Sequence, residues 1–120
     1  MELFDVTQIA LERAMSGAQL RQQALANNLA NVNTPGFKRF DVDFHGVLAR
    51  TLERSPSAGM LQGLRFQLER ETNTSVRADG SNVDVEREMA ALSENSLEYD
   101  ALVSVARARL EMLQTAMRRS

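Results

Sequence analysis

The sequence has no cysteine, no tryptophan and two prolines, and aromatic residues make up only 5% of its 120 positions. Without cysteine there are no disulfides and no thiolate metal ligands. So few aromatic side chains argue against a large globular core. No run approaches the ~20 consecutive apolar residues of a membrane-spanning helix, so no direct membrane span is expected. The opening stretch MELFDVTQIALERAM lacks both a basic start and an unbroken apolar run, so a cleaved Sec-type signal is not expected. Charge is nearly balanced, with 14 Lys and Arg against 16 Asp and Glu for a net charge of −2. That leaves no electrostatic case for nucleic acid or an anionic membrane surface. What is present, 43% hydrophobic and 25% charged residues, fits an ordered domain, and composition alone suggests a soluble cytoplasmic one.

Chemistry-bearing patterns are also scarce. His45 is the sole histidine, and a lone histidine at a loop-to-helix junction reads as structural or solvated. Glu86 and Glu88 fall on different helix faces and read as first-turn charges. The stretch DGSNVD lacks the sixth-position glycine and twelfth-position glutamate of a calcium loop. Asn73-Thr74-Ser75 is a formal glycosylation sequon without a secretory context. Met89, Met112 and Met117 read as packing residues. No catalytic, cofactor-binding or metal-ligating residues are expected.

The strongest signal is periodic. Val85, Met89, Leu92, Ser96, Tyr99, Val103, Ala106, Leu110, Leu113 and Met117 step by four and three without a break, and all but Ser96 are apolar. This a/d stripe predicts a long helix that packs lengthwise on others, with these residues as its interface. Ser81, Asn82 and Asp84 are candidate caps, and Ser81-x-x-Asp84 fits a capping box. Residues 84–100 hold six acids and one Arg, whereas 101–120 hold four Arg and one Glu, as the helix dipole favours.

The N-terminal third predicts a second helix. Leu11, Met15, Ala18, Leu25, Leu29 and Val32 form one stripe, and Val6, Ala10, Gly17, Leu20 and Ala24 a shallower one. Gly17 costs about 1 kcal/mol against Ala inside a helix, which packing must offset. The helix is expected to stop near Asn33, because Pro35 drives Thr34 out of the α region and Asn33 can take a left-handed cap. Pro35-Gly36 suits the centre of a type II turn, with Phe37 and Phe40 as anchors beyond it. Asparagine recurs at 27, 28, 31 and 33. These amides either face water around a cap or fix register against packed helices.

The middle is less regular. Asp43 caps a predicted short helix with Phe44, Val47, Leu48 and Leu52 inward. SPSAGMLQG reads as a loop, and LRFQLE alternates as a strand or hairpin arm. The fold expected is mainly α, with long terminal helices paired as an antiparallel coiled coil around a short irregular, β-containing insert. The divisions are 1–33, 34–82 and 83–120.

Residues 24–44, ALANNLANVNTPGFKRFDVDF, resemble the N-terminal signature of the flagellar rod and hook axial proteins. Ala24, Asn28, Leu29, Ala30, Asn31, Asn33, Thr34, Pro35, Gly36 and Phe37 fill its pattern. Residues 79–117 are similar to the C-terminal helix of the proximal rod subunits, through Asp79, Gly80, Asn82, Val83, Asp84, Glu88, Met89, Glu94, Asn95, Ser96, Leu97 and Tyr99. Ser81 and Asn82 depart from the usual Asn and Thr. The resemblance implies a non-enzymatic structural subunit of the flagellar basal-body rod, whose terminal helices form an inner coiled-coil layer. It implies partners: further copies, FlgC, FliE and the distal rod proteins, beside the ring protein FliF. It also implies passage through the flagellar type III export apparatus to a periplasmic rod without a cleaved signal, against the cytoplasmic expectation. On this reading Asn33, Thr34, Pro35, Gly36 and Phe37 turn the chain out of the inner layer, while Asn27, Asn28 and Asn31 set register against neighbouring helices. The alternative is a cytoplasmic coiled-coil adaptor or export chaperone, which would share the helices without needing the turn.

Overall fold

Two long helices run the length of the molecule. The structure, a computed structural model, describes residues 2–119, with side chains from residue 5 onward. Helix α1 spans Glu2–Ala30 and α4 spans Val85–Arg118. Between them come β1 (Phe40–Asp41), α2 (Phe44–Glu53), α3 (Ala58–Gln62) and β2 (Glu69–Arg70). Falling numbers on α1 meet rising numbers on α4: Asn28 bonds Glu88, Gln22 bonds Asn95 and Gln19 bonds Tyr99. The helices are therefore antiparallel, and the shape is a rod of 65 × 26 × 16 Å. The mainly helical fold with a small strand-bearing insert agrees with the sequence expectation.

The insert packs on α1. Val42 and Phe44 are buried with Ala18 and Ala24, and Leu20, Phe40, Phe66, Tyr99 and Leu102 close around them. Gly17 is the notch that admits Phe44. A Cβ built on Gly17 would lie 2.5 Å from the Phe44 Cβ and 2.6 Å from its Cγ. The clash involves the root of the Phe44 side chain, so no rotamer relieves it. Gly17→Ala is therefore expected to destabilise by about 1–3 kcal/mol, although Ala is the better helix former by about 1 kcal/mol. A urea midpoint equal to or above wild type would contradict this.

Several boundaries differ from the sequence reading. Helix α1 ends at Ala30, three residues before Asn33. There the Asn31 N–H is shared between the Asn27 and Asn28 carbonyls, and the next bonds, Val32 N–H to Leu29 and Thr34 N–H to Asn31, are one residue shorter. The chain thus unwinds through tight turns rather than ending on a left-handed cap. Asn33 does not take positive φ; among the described non-glycine residues only Ser55 does, at 49°. Helix α4 begins at Val85, not 83. Its cap is Asp84 alone, accepting from the Glu86 and Arg87 N–H groups at 3.0 and 3.3 Å. Ser81 and Asn82 are buried elsewhere.

The expected loop at 55–63 contains α3. Ser57 Oγ caps it through the Met60 N–H, and Leu61 is fully buried. The alternating run at 64–69 forms a ladder only at its end, where Glu69 pairs with Asp41 and Arg70 with Phe40. The partner strand is two residues long, so the run has nothing further to pair with. Phe66 packs edge-on to Phe44, with ring centroids 6.1 Å apart, while Leu68 stays exposed. Asp43 caps α2 through the Gly46 N–H, as expected, and Phe44 is buried, but Leu52 is exposed.

Candidate functional site

The turn after α1 returns the chain alongside the helix it has just left. The Phe37 N–H donates to the Thr34 carbonyl at 3.2 Å, and Gly36 sits at φ +75°. These values define a type II turn with Pro35 and Gly36 at its centre. The Gly36 N–H donates to Asp79 O at 2.9 Å, and Gly80, at φ +87°, lies so close that a Cβ on it would be 3.4 Å from the Gly36 Cα. The two glycines bring residues 34–37 against 77–82, and the Lys38 ammonium donates to the Gly80 carbonyl. A Cβ on Gly36 itself would meet nothing within 4 Å. Gly36→Val therefore tests backbone strain alone. It is expected to cost about 1–3 kcal/mol and to impair motility, while Gly36→Asn, which tolerates positive φ, loses markedly less. Equal urea midpoints for the two variants would contradict this.

Asn28 fastens the returning strand. Its Nδ2 donates to the Phe40 carbonyl at 2.7 Å and its Oδ1 accepts from the Phe40 N–H at 2.8 Å. The side-chain amide thus pairs with β1 as a neighbouring strand's peptide would. A longer contact of 3.3 Å runs from the same Nδ2 to Glu88 Oε2, and Asn28 is 0% exposed.

Beside it lies a buried ion pair. Arg39 Nε donates to Glu88 Oε1 at 2.5 Å, and both side chains are almost wholly buried. The same guanidinium reaches Glu71 Oε2 at 2.9 Å and Asp41 Oδ2 at 3.2 Å. Burial opposes the Arg39 charge, but hydrogen bonds to Glu88 and Glu71 outweigh it and hold the pKa above the ordinary value. Burial also pushes Asp41 up, and hydrogen bonds from Arg21 and the Val42 N–H more than reverse this, leaving its carboxyl below the usual range. Asn82 completes the node. Its Oδ1 accepts from the Arg39 N–H at 2.7 Å, and its Nδ2 donates to Glu71 O at 2.6 Å and Thr74 Oγ1 at 2.8 Å. One polar cluster thereby joins α1, the strands, the loop before α4 and the first turns of α4.

The other asparagines serve the helix end. Asn31 Nδ2 donates to the Asn27 carbonyl at 2.8 Å, and Thr34 Oγ1 donates to Asn31 Oδ1 at 3.1 Å. Asn27, Asn33, Thr34 and Pro35 are exposed, and Phe37 is half-buried, edge-on to Phe40 at 6.2 Å. The register that Asn28 sets is internal to the chain, because its amide is enclosed by β1 and α4. Glu88, expected to be a first-turn charge like exposed Glu86, is instead buried under Arg39.

The heptad stripe of α4 divides into two rows. Leu92, Tyr99, Ala106 and Leu113 turn toward α1 and are buried or half-buried, while Val85 at the start of that row is exposed. In the row Met89, Ser96, Val103, Leu110 and Met117, Val103 is half-buried and the other four are exposed, Met89 54%, Leu110 48% and Met117 71%. The face that meets α1 lies one residue away, along Glu88, Asn95, Leu102 and Ala106. Asn95 Nδ2 bridges the Ala18 carbonyl and Gln22 Oε1, both at 2.8 Å. Sequence reasoning gave Arg39 and Asn95 no structural role, and read Asn82 as a cap and Glu88 as a first-turn charge. The available signal was the seven-residue spacing of Glu88, Asn95 and Leu102 together with the family run that contains Glu88 and Asn95. His45 is largely exposed and meets the Glu98 carboxylate.

A family model described as flagella basal body rod protein matches residues 10–38, the segment that carries Asn28 and the type II turn. The flagellar basal body rod protein FlgB of Bacillus subtilis strain 168 is 32% identical over 127 residues, covering 98% of this chain and 97% of its own length. The chain belongs to the FlgB family of flagellar basal body rod proteins. FlgB of Borrelia hermsii is 29% identical, over 88% of this chain and 90% of its own. FlgB of Escherichia coli K12 is 25% identical over 88% of both. Membership of the FlgB family makes the chain a structural subunit of the flagellar basal body rod. The Arg39–Glu88 node joins the chain's own elements, while Met89, Leu110 and Met117 of α4 are exposed.

Proposed function

We propose that this subunit builds the proximal part of the rod by packing α4 against neighbouring subunits. It joins copies of itself, FlgC, FliE and the distal rod proteins, next to the ring protein FliF. The observation that carries this reading is the outward row of α4. A helix with apolar residues beyond the face its own chain covers is built to be buried by neighbours. Residues 1–33, 34–82 and 83–120 act as one unit, with the insert fixing the angle between the turn and the helical pair. The subunit reaches the periplasm through the flagellar type III export apparatus without loss of an N-terminal signal. Isolation of basal bodies from a motile strain tests this: the chain is expected in the rod fraction with the stretch MELFDVTQIALERAM retained. Recovery only from cytosol, or of a chain truncated by a signal peptidase, would overturn it.

A further inference from the structure

We infer that α4 of one subunit packs in parallel against α4 of a second copy, displaced by one heptad, about 10 Å along the axis. The inference rests on the rod-subunit reading and adds the partner and register of the exposed face.

Met89, Ser96, Val103 and Leu110 recur at seven-residue spacing along α4, with Val103 half-buried and the other three exposed. A row that keeps this spacing over three heptads is matched by one straight helix laid alongside. The adjoining row, four residues on, is Glu86, Ser93, Asp100, Arg107 and Gln114, and all five are exposed. Together the two rows form the d and a positions of a second seam.

The charges in that seam select the register. In parallel packing without displacement, Asp100 meets Asp100 and Arg107 meets Arg107. Displacement by two heptads sets Glu86 against Asp100. Displacement by one heptad sets Asp100 against Arg107 of the second copy and Ser93 against Asp100, with no like pair. Asp100 and Arg107 have no ion pair within the chain among the described residues.

Shape agrees. The same displacement places Val103 of the second copy over Ser96, the smallest residue of the row. Ser96 borders a recess of about 210 Å³ lined also by Ala18, Gln19, Gln22, Asn95 and Tyr99. An aliphatic knob fits this hole. The buried Asn95 Oδ1 beside it has no hydrogen-bond partner among the described residues. A displaced contact uses different residues of the two copies, so it repeats into an open stack instead of closing as a pair.

The absence of native cysteine makes the test direct. Two tagged copies, one carrying Ser96→Cys and the other Val103→Cys, are co-expressed in a motile strain and oxidised, and basal bodies are isolated. A mixed Ser96→Cys/Val103→Cys dimer is expected, with no dimer from Ser96→Cys alone. Ser96→Cys homodimers, Ser96→Cys/Leu110→Cys dimers, cross-links only to a different subunit, or no cross-link in basal bodies that contain the variants would each overturn the inference and leave the rod reading intact. Absence of the wild-type chain from basal bodies would instead remove the rod reading. A charge swap gives a second measure that does not depend on cysteine. Asp100→Arg is expected to abolish swimming and Asp100→Arg with Arg107→Asp to restore it; no loss, or no restoration, overturns the inference.

Discussion

Glu88→Gln is expected to lower the stability of the isolated chain by about 3–5 kcal/mol. The size follows from what remains. The Arg39 side chain is 5% exposed and Glu88 is 0% exposed, so removing the carboxylate charge strands a guanidinium in a site that water does not reach. Glu71 and Asp41 still touch Arg39, but each is about one-third exposed and screened by solvent. Since small domains are stable by only ~5–15 kcal/mol, the variant should be largely unfolded at modest urea concentrations. Arg39→Met combined with Glu88→Leu tests the cause. Replacing both partners of a buried pair by apolar groups of similar volume is often neutral or better, so most of the loss should return. In that double variant Asn28 loses its Glu88 contact and keeps Phe40, while Asn82, which accepts from the residue-39 backbone N–H, keeps all its partners. If the double variant is as unstable as Glu88→Gln, the shape of the two side chains matters more than their charge at this site.

The features visible in the sequence are those decided within a few residues. Thr34-Pro35-Gly36-Phe37 has one economical backbone solution, and the chain adopts it. Asp43 and Asp84 cap helices because each carboxylate reaches N–H groups two or three residues away. The long helices follow from periodicity, and their antiparallel pairing from the chain's need to bury facing stripes. The buried pair was hidden because Arg39 and Glu88 are 49 positions apart and neither has a local reason to be inside. The inward face of α4 was only partly visible for a related reason. Heptad counting rewards apolar residues, but the line that meets α1 includes Glu88 and Asn95, whose burial is made tolerable by partners from other segments.

Asn28→Ala carries the second large effect and separates the fold of the monomer from its assembly. The change leaves the Phe40 N–H and carbonyl without their partner in a part-buried position, and unpaired groups of this kind cost about 1–3 kcal/mol each. A loss of about 2–4 kcal/mol is expected, greater than that of Asn27→Ala, whose exposed side chain accepts a 3.3 Å hydrogen bond from Asn31. The loss should be local first. Helical circular dichroism is expected to change little, because α1 retains its backbone ladder and Ala is the better helix former. Amide exchange at 37–42 and 69–71 should accelerate well before exchange within α4, since Asn28 supplies two of the bonds that hold β1 to α1, beside the Arg21–Asp41 pair. Asn28→Asp sharpens the test: a carboxylate placed beside the Phe40 carbonyl and the Glu88 side chain replaces a donor by a like charge, and should be worse than alanine at neutral pH. If Asn28→Ala instead leaves the exchange of β1 unchanged and impairs only incorporation into basal bodies, the amide acts between subunits, and the internal role drawn from its contacts with Phe40 fails.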